Sequence, residues 1–286
     1  MVGPTCIGKT KLSLFLSKKF KSDIISCDSQ QFYKEINICN SKVNKNILKK
    51  YHHHFINICS VYEKFFNIYL YKKKVFSFLN KYFKKKNIII MVGGSMLYEK
   101  TISNNLNLIK YNLIKNNKKD ISIYLEYIKR KDIKIYNTLD KNNIKKIINY
   151  YNILINTKKK ISYLFKKKNK INNFKVIKIG LYNKKKYILN NINNIVNLMF
   201  KNNVIFEMKK IFLNKKKKYI NCIGYKDLYF FFKKNITLKQ LIINMKYKIK
   251  KYYKKQITWY KKDLLINWFY NNNFNYIYNY IYKYLI

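Results

Sequence analysis

The chain opens on Gly3-Pro4-Thr5-Cys6-Ile7-Gly8-Lys9-Thr10, which fits G-x-x-x-x-G-K-[ST], and an amphipathic run follows with apolar residues at Leu12, Phe15, Leu16 and Phe20. A tight loop running straight into a helix offers backbone amides and the positive end of the helix to an anion. In this pattern the loop cradles phosphates, the lysine reaches the terminal phosphate and the Ser/Thr hydroxyl holds Mg2+. Gly3, Thr5, Cys6, Ile7, Gly8, Lys9 and Thr10 are therefore candidate phosphate ligands, with Thr10 also the candidate Mg2+ ligand. The motif calls for an α/β fold, a parallel sheet flanked by helices with a strand feeding the loop. Only Met1 and Val2 precede it. Strands usually need about five residues, so the expectation is a start upstream that adds roughly five to ten apolar-rich residues.

Two further segments read as strands that end in polar loops. Asp23–Cys27 ends at Asp28-Ser29-Gln30-Gln31, and 86–92 runs into Gly93-Gly94-Ser95 with a helix from Met96. Ligands of open α/β sheets bind beyond the carboxyl ends of the strands, which gathers the phosphate loop, Asp28 and Ser95 into one crevice. Residues 65–83 read as a helix covering that sheet. Glycine and proline are missing from 104 to 173, where apolar residues recur at three- and four-residue spacing, most clearly over 120–131 and 142–155. An all-helical insertion domain over 104–173 is expected, between the two parts of the core, 1–103 and 174–286. A strand at 175–181 follows, then helices over 184–200, 205–212 and 238–259, a helical region opened by Ile223-Gly224, and a last helix over 274–285. His52-His53-His54 is not read as a metal site, because neighbours in an extended chain point to opposite sides and no Cys or acid lies at ligand spacing. Tyr252, Tyr253, Trp259 and Tyr260 read as packing between the last long helix and the sheet.

Composition excludes more than it assigns. Lys and Arg number 62 against 12 Asp and Glu, a formal net charge of +50, yet hydrophobic residues make up 48% of the chain, enough for a core. There is one arginine, Arg130, no alanine, one proline and six glycines. Lys, Asn, Ile, Tyr and Phe, which A/T-rich codons can write, dominate instead, so base composition is the main source of the lysines. They are spread along the whole chain, which makes charge weak support for RNA binding but still implies salt-dependent attraction to polyanions. No apolar run approaches the roughly 18–20 residues of a membrane span. Five cysteines without a CxxC pair fit a reducing cytoplasm rather than a disulfide scaffold.

Taken together, these segments resemble the tRNA dimethylallyltransferases. GPTCIGKT is similar to their GPTASGKT, DIISCDSQQFYKEINI to their DSxQxY segment, HHFINI to HHLIDI, and MVGGSMLYEK to VGGTxLYxKAL. KIGL, IFEM, CIGYKDL and KKYYKKQITWYKK resemble later motifs in the same order, and all six glycines fall on motif positions. The resemblance implies transfer of a dimethylallyl group from dimethylallyl diphosphate to N6 of the adenosine 3′ of the tRNA anticodon, by a monomer with Mg2+. It implies that the phosphate loop holds the diphosphate, that Asp28 is the base, that Ser95 donates near the diphosphate or the adenine, and that Lys250 supplies a second cation. It places Asp28, Ser29, Gln30, Gln31 and Ser95 at the tRNA adenosine, with Tyr33 nearby, and Lys145, Lys146 and Asn149 of the insert on the anticodon stem. Lys250, Lys146 and Asn149 stand where the family has arginines, so the planar fork that grips phosphate is lost at all three. A P-loop kinase or NTPase, and an RNA-binding protein that keeps the fold without catalysis, are the alternatives.

Overall fold

The computed structural model describes residues 1–63, 66–106, 108–109, 121–166, 172–214 and 222–285. They form two compact units, Met1–Lys100 with Phe174–Ile286, and Thr101–Asn173.

The first unit is built on parallel strands. β1 (Ile24–Ser26) lies between β2 (His53–His54) and β3 (Ile90–Val92), and β4 (Lys178–Tyr182) pairs with β5 (Ile266–Tyr270). β1 is buried throughout and β4 over four of its five residues, the pattern of strands covered on both faces. Met1 and Val2 stand between the two ladders. The Met1 amino group donates to the Met91 carbonyl at 2.7 Å, the Val2 amide to Ile179 at 2.8 Å, and the Leu181 amide to Val2 at 3.1 Å. Two residues thus carry the backbone pairing across the middle of the sheet. Val2 runs parallel to β4, as β1 does to β3.

Helices cover the sheet. α1 (Lys9–Phe20) buries Leu12 and Leu16; α2 (Lys45–Lys50) follows β1; α3 (Ile68–Tyr82) buries Tyr71, Val75 and Leu79 at four-residue spacing. α3 starts where the Asn67 side chain accepts from the Leu70 amide, later than the expected 65, which lies outside the described residues. α4 (Met96–Ser103) leaves β3.

The second unit holds α5 (Ile121–Lys131), α6 (Ile133–Thr138), α7 (Ile144–Thr157) and α8 (Ile161–Lys166) around Tyr124, Ile128, Leu139, Ile147, Ile153, Leu154 and Ile161. Position 120, the expected start of α5, is outside the described residues. Buried Asp132 ties this core together: one carboxylate oxygen caps α6 at the Ile135 amide, and the other accepts from Ser162.

The first unit resumes with α9 (Lys185–Lys201), α10 (Val204–Leu213), α11 (Tyr225–Phe232), α12 (Leu238–Tyr260) and, after β5, α13 (Phe274–Tyr282). α12 opens on a reciprocal cap between Thr237 and Gln240 and buries Leu241, Met245, Ile249, Gln256 and Tyr260. Among the described residues no helix is long and apolar enough to cross a membrane. Several sequence expectations shift: the 86–92 strand pairs only over Ile90–Val92, the 175–181 strand over Lys178–Tyr182, and α2, β2 and β5 lie in stretches with no expected element. His53 bonds the Tyr51 carbonyl and His54 bonds Asp23, both at 2.8 Å. Tyr260 packs against Val2, Met96 and Ile266, whereas Trp259, expected in the core, is exposed with Lys100 over its ring.

Candidate active site

The loop between Val2 and α1 bends through left-handed conformations at Cys6 (φ 64°) and Gly8 (φ 103°), the second of which a glycine adopts at no steric cost. The Lys9 ammonium folds back onto the carbonyls of Gly3 (2.9 Å) and Pro4 (2.7 Å). Burial pulls its pKa down to about 8, against the attraction of the Asp28 carboxylate. Thr10 is exposed on the first turn of α1, where the leading amides of a helix have no intrahelical partner.

Asp28 and Ser95 come from the ends of adjacent strands. Gly93 permits the approach, since a Cβ there would lie 2.5 Å from the Cys27 carbonyl carbon. The Ser95 hydroxyl donates to Asp28 at 3.4 Å, lies 3.0 Å from the Ser29 hydroxyl and accepts from the Ser29 amide at 2.9 Å; the Gln30 amide also donates to Asp28, at 3.1 Å. Burial pushes the Asp28 carboxyl above the ordinary carboxylate range, while the Gln30 amide, Lys9, Ser95 and the Gly94 amide act in the other direction. Asp28 can thus hold a proton more readily than an exposed carboxylate, and Lys9 lies within its electrostatic reach.

α12 closes the other side. The Gln256 amide nitrogen donates to Gly94 at 2.9 Å while its oxygen accepts from the Thr5 amide at 2.7 Å, and the Tyr252 hydroxyl donates to the same Gly94 carbonyl at 2.6 Å. Sequence reasoning gave Gln256 no role and took Tyr252 for packing alone. The available signal was their spacing of four, which puts both on one face of a helix.

The other candidates stand as follows. The Ser26 hydroxyl donates to the Gln31 side chain at 3.1 Å, and Tyr33 is buried. Gln30 is half-buried, its carbonyl receiving the Asn40 side chain. Lys250 is half-buried on α12, and no hydrogen bond or ion pair joins it to the loop or to Asp28. On α7, Lys145 is exposed, Lys146 lies 5.4 Å over the Tyr150 ring and Asn149 is half-buried. Among the described residues no group of three or more His, Cys, Asp or Glu side chains forms a metal centre.

Parallel strands with a G-x-x-x-x-G-K-[ST] loop at one strand end, and a carboxylate and a hydroxyl at two others, define a protein of the P-loop-like α/β class. The family described as IPP transferase matches residues 31–263, and the chain belongs to that family. It is 33% identical over 281 residues to tRNA dimethylallyltransferase 2 of Azobacteroides pseudotrichonymphae genomovar. CFP2, covering 96% of this chain and 91% of that protein. The tRNA dimethylallyltransferase of Christiangramia forsetii is also 33% identical, with 94% of this chain and 91% of that protein covered. Two solved structures share the fold. A eukaryotic dimethylallyltransferase acting on tRNA gives a TM-score of 0.80 at 22% identity, covering 94% of this chain and 72% of that one. The full-length tRNA isopentenylpyrophosphate transferase of Bacillus halodurans gives 0.73 at 23%, covering 99% and 94%.

Proposed function

We propose that the chain transfers a dimethylallyl group from dimethylallyl diphosphate to N6 of the adenosine 3′ of the tRNA anticodon and releases diphosphate. The observation that carries the reading is the meeting of Asp28 and Ser95 beside the Thr5–Gln256–Gly94 bridge, which sets a candidate base next to a diphosphate cradle. Family membership and relatives named for this reaction support it over the kinase and non-catalytic alternatives.

As the allylic carbon–oxygen bond breaks, negative charge grows on the leaving diphosphate. The loop amides and Lys9 stabilise it, and Lys9 reaches the anion by leaving the Gly3 and Pro4 carbonyls. N6 of adenine is a weak nucleophile because its lone pair is delocalised into the ring. Asp28 accepts its proton as the new carbon–nitrogen bond forms, and Ser95 orients the carboxylate. Raising the carboxyl above its usual range makes it the stronger base. The adenosine must leave the anticodon stack to reach Asp28, and Ser29 and Gln30 line its way in. Gln31 meets the base beside them, its side-chain oxygen accepting from the Ser26 hydroxyl while its NH2 group remains a donor.

Mg2+ fits this site: an exposed hydroxyl together with diphosphate oxygens is the hard, oxygen-only set that the ion takes, usually with one or two protein ligands. Thr10 would hold it, and it would add positive charge at the leaving group. Lys250 is the second cation, reaching the diphosphate only by extending from α12. Lys145, Lys146 and Asn149 meet stem phosphates. The protein acts as a monomer in the cytoplasm, where its free cysteines stay reduced.

Incubating the purified chain with dimethylallyl diphosphate, Mg2+ and unmodified tRNA, then digesting the tRNA for mass spectrometry, tests the reading. Prenylated adenosine next to the anticodon is expected. Unmodified tRNA here, with phosphoryl transfer in a parallel incubation supplied with a nucleoside triphosphate, would overturn it.

A further inference from the structure

Two asparagines far from the loop in sequence grip its carbonyls. Asn191 of α9 donates its side-chain amide to the Cys6 carbonyl at 2.9 Å, and Asn271, just after β5, donates to the Ile7 carbonyl at 2.9 Å. Asn271 is 4% exposed and stands at the end of a directed chain. A backbone carbonyl can only accept, so Asn271 must present its NH2 group to Ile7 and its oxygen elsewhere. That oxygen accepts from Asn183 at 2.6 Å, and the Asn183 oxygen accepts from the Tyr270 hydroxyl at 3.1 Å. The Asn271 amide is itself fixed on the Tyr182 carbonyl at 3.2 Å.

The consequence follows from the planar trans peptide, in which C=O and the next N–H point in opposite directions. Holding the Cys6 carbonyl outward turns the Ile7 amide inward, and holding the Ile7 carbonyl outward does the same for the Gly8 amide. Cys6 and Gly8, which bracket this stretch, both sit at positive φ.

We infer that Asn191 and Asn271 are positioning residues for diphosphate: they hold the 6–7 and 7–8 peptide planes with their amides toward the anion before it arrives. This rests on the reading of the loop as a diphosphate cradle. The donors touch no phosphate, so they act through the loop by removing a reorganisation that binding would otherwise have to drive.

Titration calorimetry with inorganic diphosphate and Mg2+ tests it on the full chain and on Asn191→Ala, Asn271→Ala and the double variant. Each single change is expected to raise the diphosphate Kd about tenfold, and the pair more than either alone, as for hydrogen bonds of ordinary strength. Affinity for tRNA should stay within about twofold, which a general loss of structure would not allow. Asn191→Gln, which keeps a donor amide on a longer arm, should recover part of the loss. Asn191 is half-buried on a helix where alanine is well accepted, so this variant remains decisive if Asn271→Ala does not fold. A folded Asn191→Ala protein with unchanged diphosphate affinity overturns the inference alone. A parent protein that binds no diphosphate overturns the reading of the loop with it.

Discussion

Thr5 and Gln256, 251 positions apart, are joined by a 2.7 Å hydrogen bond from the Thr5 amide to the Gln256 side chain. The other end of the same side chain donates to Gly94. One fully buried amide therefore sets the spacing between the phosphate loop and the turn that carries Ser95.

Replacing Gln256 with Leu keeps the volume but strands the part-buried Thr5 N–H and weakens the hold on the buried Gly94 carbonyl. Unfolding in urea should show a loss of about 1–3 kcal/mol, the cost of an unmade buried hydrogen bond. Prenyl transfer should fall further than stability does, because the loop and Ser95 lose their fixed distance. Equal turnover in parent and variant would show that the bridge is scaffolding only.

How much of this was readable in the sequence depends on range. The phosphate loop, Asp28 and Ser95 are local features, each a short run at a strand end, and such runs survive in a chain whose composition has drifted. Gln256, Asn191 and Asn271 are not local. Asn271 lies in the run Asn271-Asn272-Asn273, and asparagine is so common in this chain that nothing in the sequence distinguishes a buried donor from its exposed neighbour. β5 was hidden for a related reason. Its burial follows no strict alternation, with Ile266 and Phe269 inside and Asn267 exposed, so neither a period of two nor a continuous apolar run marks it.

Asp28→Asn should leave both substrates bound and slow transfer by roughly a hundredfold or more, the usual scale for a lost general base. The amide keeps the shape and can still accept from the Gln30 amide and Ser95, so binding is not expected to suffer. Single-turnover kinetics at saturating substrates make the test. A rate within a few-fold of the parent would show that Asp28 only shapes the turn.

Lys9 predicts two pH effects of opposite sign. Its pKa in the folded protein, about 8, lies below the ordinary 10.5 of the unfolded chain. Between these values the unfolded state binds more protons, so the Lys9 contribution to ligand-free stability rises with pH through that window. Binding runs the other way, because the anion prefers the ammonium: affinity for dimethylallyl diphosphate should fall as pH climbs through about 8. Comparing the parent with Lys9→Met cancels the other titrating groups. The difference in melting temperature should move toward the parent between pH 8 and about 10, while the affinity advantage of the parent shrinks. Parallel curves in both measurements would place the Lys9 pKa elsewhere.

The lysines of α7 give the last prediction. Lys145 is exposed and free to meet a phosphate, whereas Lys146 lies over the Tyr150 ring and half-buried. Each phosphate neutralised by a lysine releases counterions, so removing one contact lowers the steepness of log K against log salt by about one. With a formal net charge of +50, much of the binding to any RNA will be unspecific, and affinity at one salt concentration says little. The informative quantity is the slope for a substrate tRNA beside that for an unrelated RNA of equal length. Lys145→Ala should reduce the first slope by about one and the second by less, since unspecific binding is shared among many lysines. Lys146→Ala should have a smaller effect, because its ammonium must first leave the ring. Both variants should keep the parent's diphosphate affinity, as neither residue belongs to the loop. Equal slope changes on both RNAs would mean that α7 adds charge to the protein without meeting the anticodon stem.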